Sequence, residues 1–291
     1  MSYLSKFTAF QLDSPGSLFS FYKEDFYYLI EARLPKGGID ELLTDMAYHN
    51  KTTIDVLHIT SWDADHCTYD DLIQIINKLR PSRIEVPDYL ASSEDGKLCQ
   101  KVIYSYDDIH QRHVHNVQAI NDNYISSLPN ASLGGSSNVI YKSMFNCDNK
   151  NDMSLIKFFR SVGFNVLSLG DCESSQIANR LANDAILSKE VDVLILAHHG
   201  ANNGFTSPAL LDALKPKIAI CSSNNDNQYD HPHTEVYNML AYRNIPLMTT
   251  KRGNVTIYQV NGDDGAVATN LISNNEVVDT RTGFIPKRFA N

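Results

Sequence analysis

Four short apolar runs in this chain each stop at a group of carboxylates or imidazoles, and any fold it adopts has to place those groups. The first run, residues 54–60 (IDVLHIT), leads into Ser61-Trp62-Asp63-Ala64-Asp65-His66. The second ends Leu167-Ser168-Leu169-Gly170-Asp171, and the third ends Ala197-His198-His199-Gly200. The fourth, KIAICSS, precedes Tyr229-Asp230-His231-Pro232-His233. Apolar runs of this length read as buried strands. In α/β proteins, sites lie in the crevice beyond the carboxyl ends of such strands. A fold that lines these ends along one edge therefore gathers the polar residues in one place.

Amphipathic stretches lie between the runs. Leu72, Ile75, Ile76 and Leu79 share a helical face that stops at Pro81. Ser207 and Pro208 mark the N-cap and first position of a helix over SPALLDALK. Earlier, KFTAFQLD and EDFYYLIEARL read as two strands joined by a turn at Ser14-Pro15-Gly16. Hairpin strands first, then alternating strands and helices, point to an α/β protein with two sheets face to face and helices outside, or one mixed sheet. The expected organisation is one domain over residues 1–262 and a polar, loosely attached tail over residues 263–291. Within the domain, a segment near 94–150 reads as an insertion. It has helical composition with a poor apolar face, carries His110, His113 and His115, and continues into an Asn-, Ser- and Gly-rich stretch.

Composition narrows the class. With 43% hydrophobic and 20% charged residues over 291 positions, the chain reads as globular. No apolar run approaches a bilayer's thickness, and MSYLSKFTAF lacks a secretory apolar core, so a cytoplasmic protein without a membrane partner is expected. Five cysteines without a CxxC pair argue against a disulfide framework or a thiolate zinc knot. The net charge of −9 argues against a scaffold that wraps duplex DNA by long-range attraction. An anionic substrate would have to be met by bound cations.

The clusters suit such cations. Adjacent Asp65 and His66 cannot easily serve one metal face but can serve two neighbouring ions, as in binuclear sites with ions about 3.5–4 Å apart. Asp171, released by Gly170 at a strand end, can bridge cations; the alternative is an N-cap for the helix from Glu173. Neutral imidazole is a common metal ligand. On an extended strand His198 and His199 point to opposite sides, so one of them is expected to face the site. His231, stiffened by Pro232, can ligate a metal or protonate a leaving oxygen, and His233 fits a helix start. Each cluster also has a structural reading, as an acidic capping turn or as satisfied histidines.

Taken together, these residues resemble the metallo-β-lactamase-fold hydrolases. They are most similar to the metallo-β-lactamase-like domain at the C-terminus of bacterial competence DNA-uptake channel proteins. The resemblance is carried by the D-x-D-H of Asp63-Ala64-Asp65-His66 and by Asn151-Asp152-Met153-Ser154-Leu155 leading to Gly170-Asp171. It continues in His198-His199-Gly200-Ala201 with Ser207-Pro208, Leu214 and Pro216, and in Asn227-Gln228-Tyr229-Asp230-His231-Pro232-His233. It implies a four-layer αββα sandwich and hydrolysis of a phosphodiester in a nucleic acid or nucleotide. It also implies divalent cations, two of them, held by Asp63, Asp65, His66, Asp171, His199 and His231, with Asp65, His231 and His198 taking part in catalysis.

The sequence departs from the family's pattern in places. Ser61 and Asp63 stand where histidines open the general motif, Asn151 and Ser154 where a third motif supplies one, and Glu31-Ala32-Arg33 where Asp-Gly-Gly is expected. Oxygen in place of imidazole favours Mn²⁺ or Mg²⁺ over Zn²⁺ and argues against the acyl substrates of histidine-rich zinc sites. The same losses define the alternative, a catalytically degenerate domain that binds a nucleotide or a partner.

Overall fold

The computed structural model describes residues 3–109, 116–144, 147–224, 229–272 and 277–290. His110, His113 and His115, and Asn227 and Gln228 of the last motif, lie outside the described residues. The chain begins with six strands: β1 (Tyr3–Ala9), β2 (Phe19–Lys23), β3 (Phe26–Ile30), β4 (Val56–His58), β5 (Arg83–Pro87) and β6 (Val117–Ile120). It crosses to a second sheet with β7 (Val139–Tyr141), β8 (Ile156–Phe159), β9 (Val166–Ser168), β10 (Val193–Ile195), β11 (Ile218–Cys221) and β12 (Leu247–Thr249). It then returns to the first with β13 (Val255–Val260), β14 (Ala266–Ile272) and β15 (Val277–Phe284). The first sheet runs β15-β14-β13-β1-β2-β3-β4-β5-β6 and the second β12-β11-β10-β9-β8-β7.

Strand alternation builds the layers. Val56 of β4 and Val193 and Ile195 of β10 point inward, into a core that joins the sheets through Phe7, Phe21, Phe159 and Ile220. Their neighbours point outward. Leu57 and Ile84 meet Leu72, Ile75, Ile76 and Leu79 of the helix Tyr69–Leu79, the face read from the sequence. Leu194 and Leu167 meet Leu210, Leu211 and Leu214 of the helix Pro208–Leu214, which Ser207 caps. Three hydrophobic layers between four layers of structure make the αββα sandwich. Strands β3 to β6 run parallel, as do β9 to β12, so their carboxyl ends share an edge within each sheet. Among the described residues no helix is long and apolar enough to cross a membrane.

Two expectations, the first turn and the loose tail, need correction. The turn between the first strands is not Ser14-Pro15-Gly16: β2 intervenes, and the tight turn is Glu24-Asp25, at φ 51° and 65°. A two-residue hairpin loop takes positive φ at both positions, which Asn-Gly advertises and Glu-Asp does not. The segment near 94–150, read as an insertion, is built into both sheets. It contains the helix Glu94–Tyr104 and supplies β6 and β7, an edge strand for each sheet. The supposed loose tail forms β14 and β15, paired to β13, with Ala266 and Ala268 buried in the inter-sheet core. Its inward face mixes Ala266, Ala268 and Phe284 with Asn270 and Thr282, so its period-2 signal is weak.

Candidate metal centre

The parallel strands deliver the polar clusters to one point. Asp65 and His66 follow β4, Asp171 follows β9 and His199 follows β10. Each offers one ligand atom, and the four atoms lie within 4.8 Å of one another. Two glycines permit the approach. Gly170 sits at φ +54°, where a Cβ would come 2.7 Å from Ser154 Cβ. Gly16, in the Ser-Pro-Gly segment, packs on the metal loop, where a Cβ would meet the Asp65 carbonyl oxygen at 2.5 Å. Asp171 is not a helix cap; Ser174 caps the helix Ser175–Ala182.

The partners of the imidazoles show which nitrogen each presents. His199 Nδ1 lies 2.9 Å from the Ser222 carbonyl, which only accepts, so Nδ1 carries the proton and Nε2 faces Asp65 Oδ2 at 3.2 Å. His66 Nδ1 lies 3.1 Å from Glu31 Oε1, leaving Nε2 toward Asp171 Oδ2 at 2.8 Å. This buried Nε2 has no partner of hydrogen-bonding geometry despite that short separation. Two ligands of one ion stand in this relation, and in the absence of an ion the two groups pair by charge. Metal-ligating histidines characteristically give their other N–H to a carboxylate or carbonyl. Two carboxylates and two such imidazoles therefore fit a divalent cation.

The electrostatics agree. Burial pushes the Asp65 and Asp171 carboxyls up, but the neighbouring imidazoles, His66 foremost, outweigh it and hold both below the usual carboxylate range. Burial lowers His66, yet Asp171, Glu31 and Asp65 pull it far above the ordinary histidine value. The centre of the group thus favours positive charge. His231 behaves oppositely: burial and the nearby His199, His233 and His198 push it down to about 4, so it is neutral at pH 7.

The remaining candidates surround this group. Asp63 accepts a bond from Ser61 Oγ at 3.3 Å and is outside the four, as is His231, whose ring stacks 6.2 Å from that of His199. His198 does not point away from His199, as an extended strand would have it. Both take left-handed backbone angles, φ 46° and 52°, in a turn after β10 that breaks the alternation, and both line one cleft. His198 Nδ1 bonds Glu173 Oε1 at 2.6 Å, and Asn149 and Asn151 hold Glu173 in turn. At the third-motif position, Asn151 thus donates to Glu173 Oε1. Arg252, next to Lys251 in a late basic turn, pairs with Asp279.

Sequence reasoning gave three residues no role here. Glu31 accepts from Thr60 N and Oγ1 as well as facing His66. Arg33 donates to the carbonyls of Ala64 and Pro15 and to Ser14 Oγ, clamping the metal loop to the Ser-Pro-Gly segment. Glu173 orients His198. The available signal was an acidic residue ending β3, a fifth strand end of the same kind. We expect Glu31→Gln to weaken metal affinity about 10- to 100-fold, as losses of such outer partners do. Competition with a chromophoric chelator measures this, and unchanged affinity would remove Glu31 from the centre.

No family model matches the chain. It is 30% identical over 113 residues to ComE operon protein 3 of Bacillus subtilis (strain 168), a match covering 38% of this chain and 14% of that protein. It is 40% identical over 58 residues to competence protein ComA of Neisseria gonorrhoeae, covering 20% of this chain and 8% of that one. The chain thus matches only a small part of the length of these relatives. The metallo-β-lactamase fold protein YhfI from Bacillus subtilis superposes with a TM-score of 0.51 at 12% identity, over 88% of this chain and 99% of that one. With its two sheets and outer helices, the chain has the metallo-β-lactamase fold, and over part of its length it is similar in sequence to competence proteins.

Proposed function

We propose that the chain is a metal-dependent hydrolase that cleaves phosphodiester bonds, as a nuclease or nucleotide phosphodiesterase. The observation that carries this reading is the convergence of Asp65, His66, Asp171 and His199 from two sheets onto one centre. A divalent cation bound there lowers the pKa of water and neutralises charge on phosphoryl oxygens. The chain's residues do the rest. Asp65 and Asp171 supply hard oxygen, and His66 and His199 present Nε2. Asp63 and His231 flank the group and would complete a second ion position. His231, neutral at pH 7, is suited to ligate a cation or orient an oxygen. His198, fixed by Glu173, is the better-placed group to protonate a leaving oxygen. Similarity to competence proteins supports a nucleic-acid or nucleotide substrate over an acyl one. The oxygen-rich first motif favours Mn²⁺ or Mg²⁺.

The test begins with a chelated sample reloaded with Mn²⁺, Mg²⁺ or Zn²⁺ and assayed on bis(p-nitrophenyl) phosphate and on dinucleotides. Manganese should restore turnover better than zinc. A protein that takes up no ion and cleaves neither substrate would instead be the degenerate nucleotide- or partner-binding domain.

A further inference from the structure

The metal centre opens into a cleft of about 360 Å³, solvent at its mouth included, whose wall runs from Asp65 and His199 to Tyr229. Three rings lie nearly parallel along that wall. His199 and His231 are 14° apart in plane at 6.2 Å, and His231 and Tyr229 are 24° apart at 5.7 Å. The series starts at a candidate ligand and ends on a tyrosine that is 58% exposed. Tyr229 thus covers His231 with one face and leaves much of its ring open at the mouth. Among the described residues that line the cleft, none is lysine or arginine.

We propose that Tyr229 is the platform on which a nucleobase next to the reacting phosphodiester stacks, so that the site selects nucleic acid with unpaired bases. The inference rests on the phosphodiesterase reading for its location. Without a lysine or arginine among the described residues of its wall, and in a chain of net charge −9, the cleft has little long-range attraction to offer several phosphates. Affinity beyond the reacting group has to come from uncharged contacts. A stacked aromatic ring supplies one that every base satisfies, because every base has a π-face. In a duplex those faces are covered by neighbouring pairs, so the platform serves a single strand, a loop or a frayed end. The base then anchors the strand while the adjacent phosphate reaches the centre.

The test reads binding as well as turnover. Manganese-loaded protein is titrated with a short single strand that carries 2-aminopurine and cleavage-resistant phosphorothioate linkages. Parallel titrations use its abasic analogue, its duplex, and the same sequence with ribose. Wild-type protein should quench the 2-aminopurine and prefer the base-bearing strand to the abasic one by about tenfold, within the range for one stacked base. Tyr229→Ala should lose the quenching and the preference together, while Tyr229→Phe, which keeps the ring, retains both. The ribose arm shows which sugar is preferred. Equal binding of base-bearing and abasic strands by wild type, or an undiminished preference in Tyr229→Ala, would overturn the assignment. Base preference without cleavage of any phosphodiester would keep the platform and remove the catalytic reading; cleavage without base preference would do the reverse.

Discussion

Asp171→Asn is expected to yield a folded protein that has lost both its cation and its turnover. The asparagine matches aspartate in shape, so the strand end after β9 and the close packing of Gly170 are undisturbed. It lacks the charge that faces His66 Nε2 at 2.8 Å in a buried site. Among the described residues Asp65 is the other carboxylate in the group, and one carboxylate with two imidazoles holds a divalent ion less firmly. If the cation supplies several kcal/mol of transition-state stabilisation, kcat/KM should fall by at least about 10³-fold, or ~4 kcal/mol. Metal content by mass spectrometry should fall with it, while circular dichroism stays unchanged. Asp65→Ala should act in the same direction. Full activity on a generic phosphodiester in either variant would overturn the metal-centre assignment.

The second large effect lies away from the site. Glu85 of β5 and Lys157 of β8 face each other across the sandwich interior, hydrogen-bonded and almost fully buried. His58 of β4 reaches the same Glu85 oxygen at 3.0 Å. Burial pushes the Glu85 carboxyl up, but Lys157 outweighs it and holds the group below its usual range. A depressed carboxyl contributes stability that is present above its unfolded value and lost as pH falls through and below it. Glu85→Gln leaves Lys157 buried without its counter-charge and should cost about 3–5 kcal/mol in urea unfolding. The double variant Glu85→Leu/Lys157→Met should recover most of that, because two apolar side chains carry no desolvation penalty. Equal loss in both would show that packing volume, not charge, is what these positions provide.

What was legible in the sequence follows from where the physics is local. The helix Tyr69–Leu79 was readable because its apolar face repeats within a single element. Asp65, His66, Asp171 and His199 were each readable because a buried strand stops at them, and strand ends in parallel sheets meet without further instruction. The β2–β3 turn was hidden because Glu24-Asp25 adopts positive φ without the residues that normally signal it. The β14–β15 hairpin was hidden because its inward face mixes alanines with Asn270 and Thr282 and breaks the apolar alternation. The shared orientation of His198 and His199 depends on two left-handed residues that no periodicity anticipates. Glu31, at φ 72°, acts on His66 across 35 positions of sequence, and such pairings are set by strand adjacency alone.

The four candidate ligand residues divide evenly, two after a strand of the first sheet and two after strands of the second. A cation bound among them would be a rivet through the seam of the sandwich, and its affinity would double as cohesion between the halves. By mass action, an ion at roughly a hundredfold excess over its Kd adds about 2.7 kcal/mol to the folded state. Starving such a molecule of metal would both silence it and loosen it along that seam.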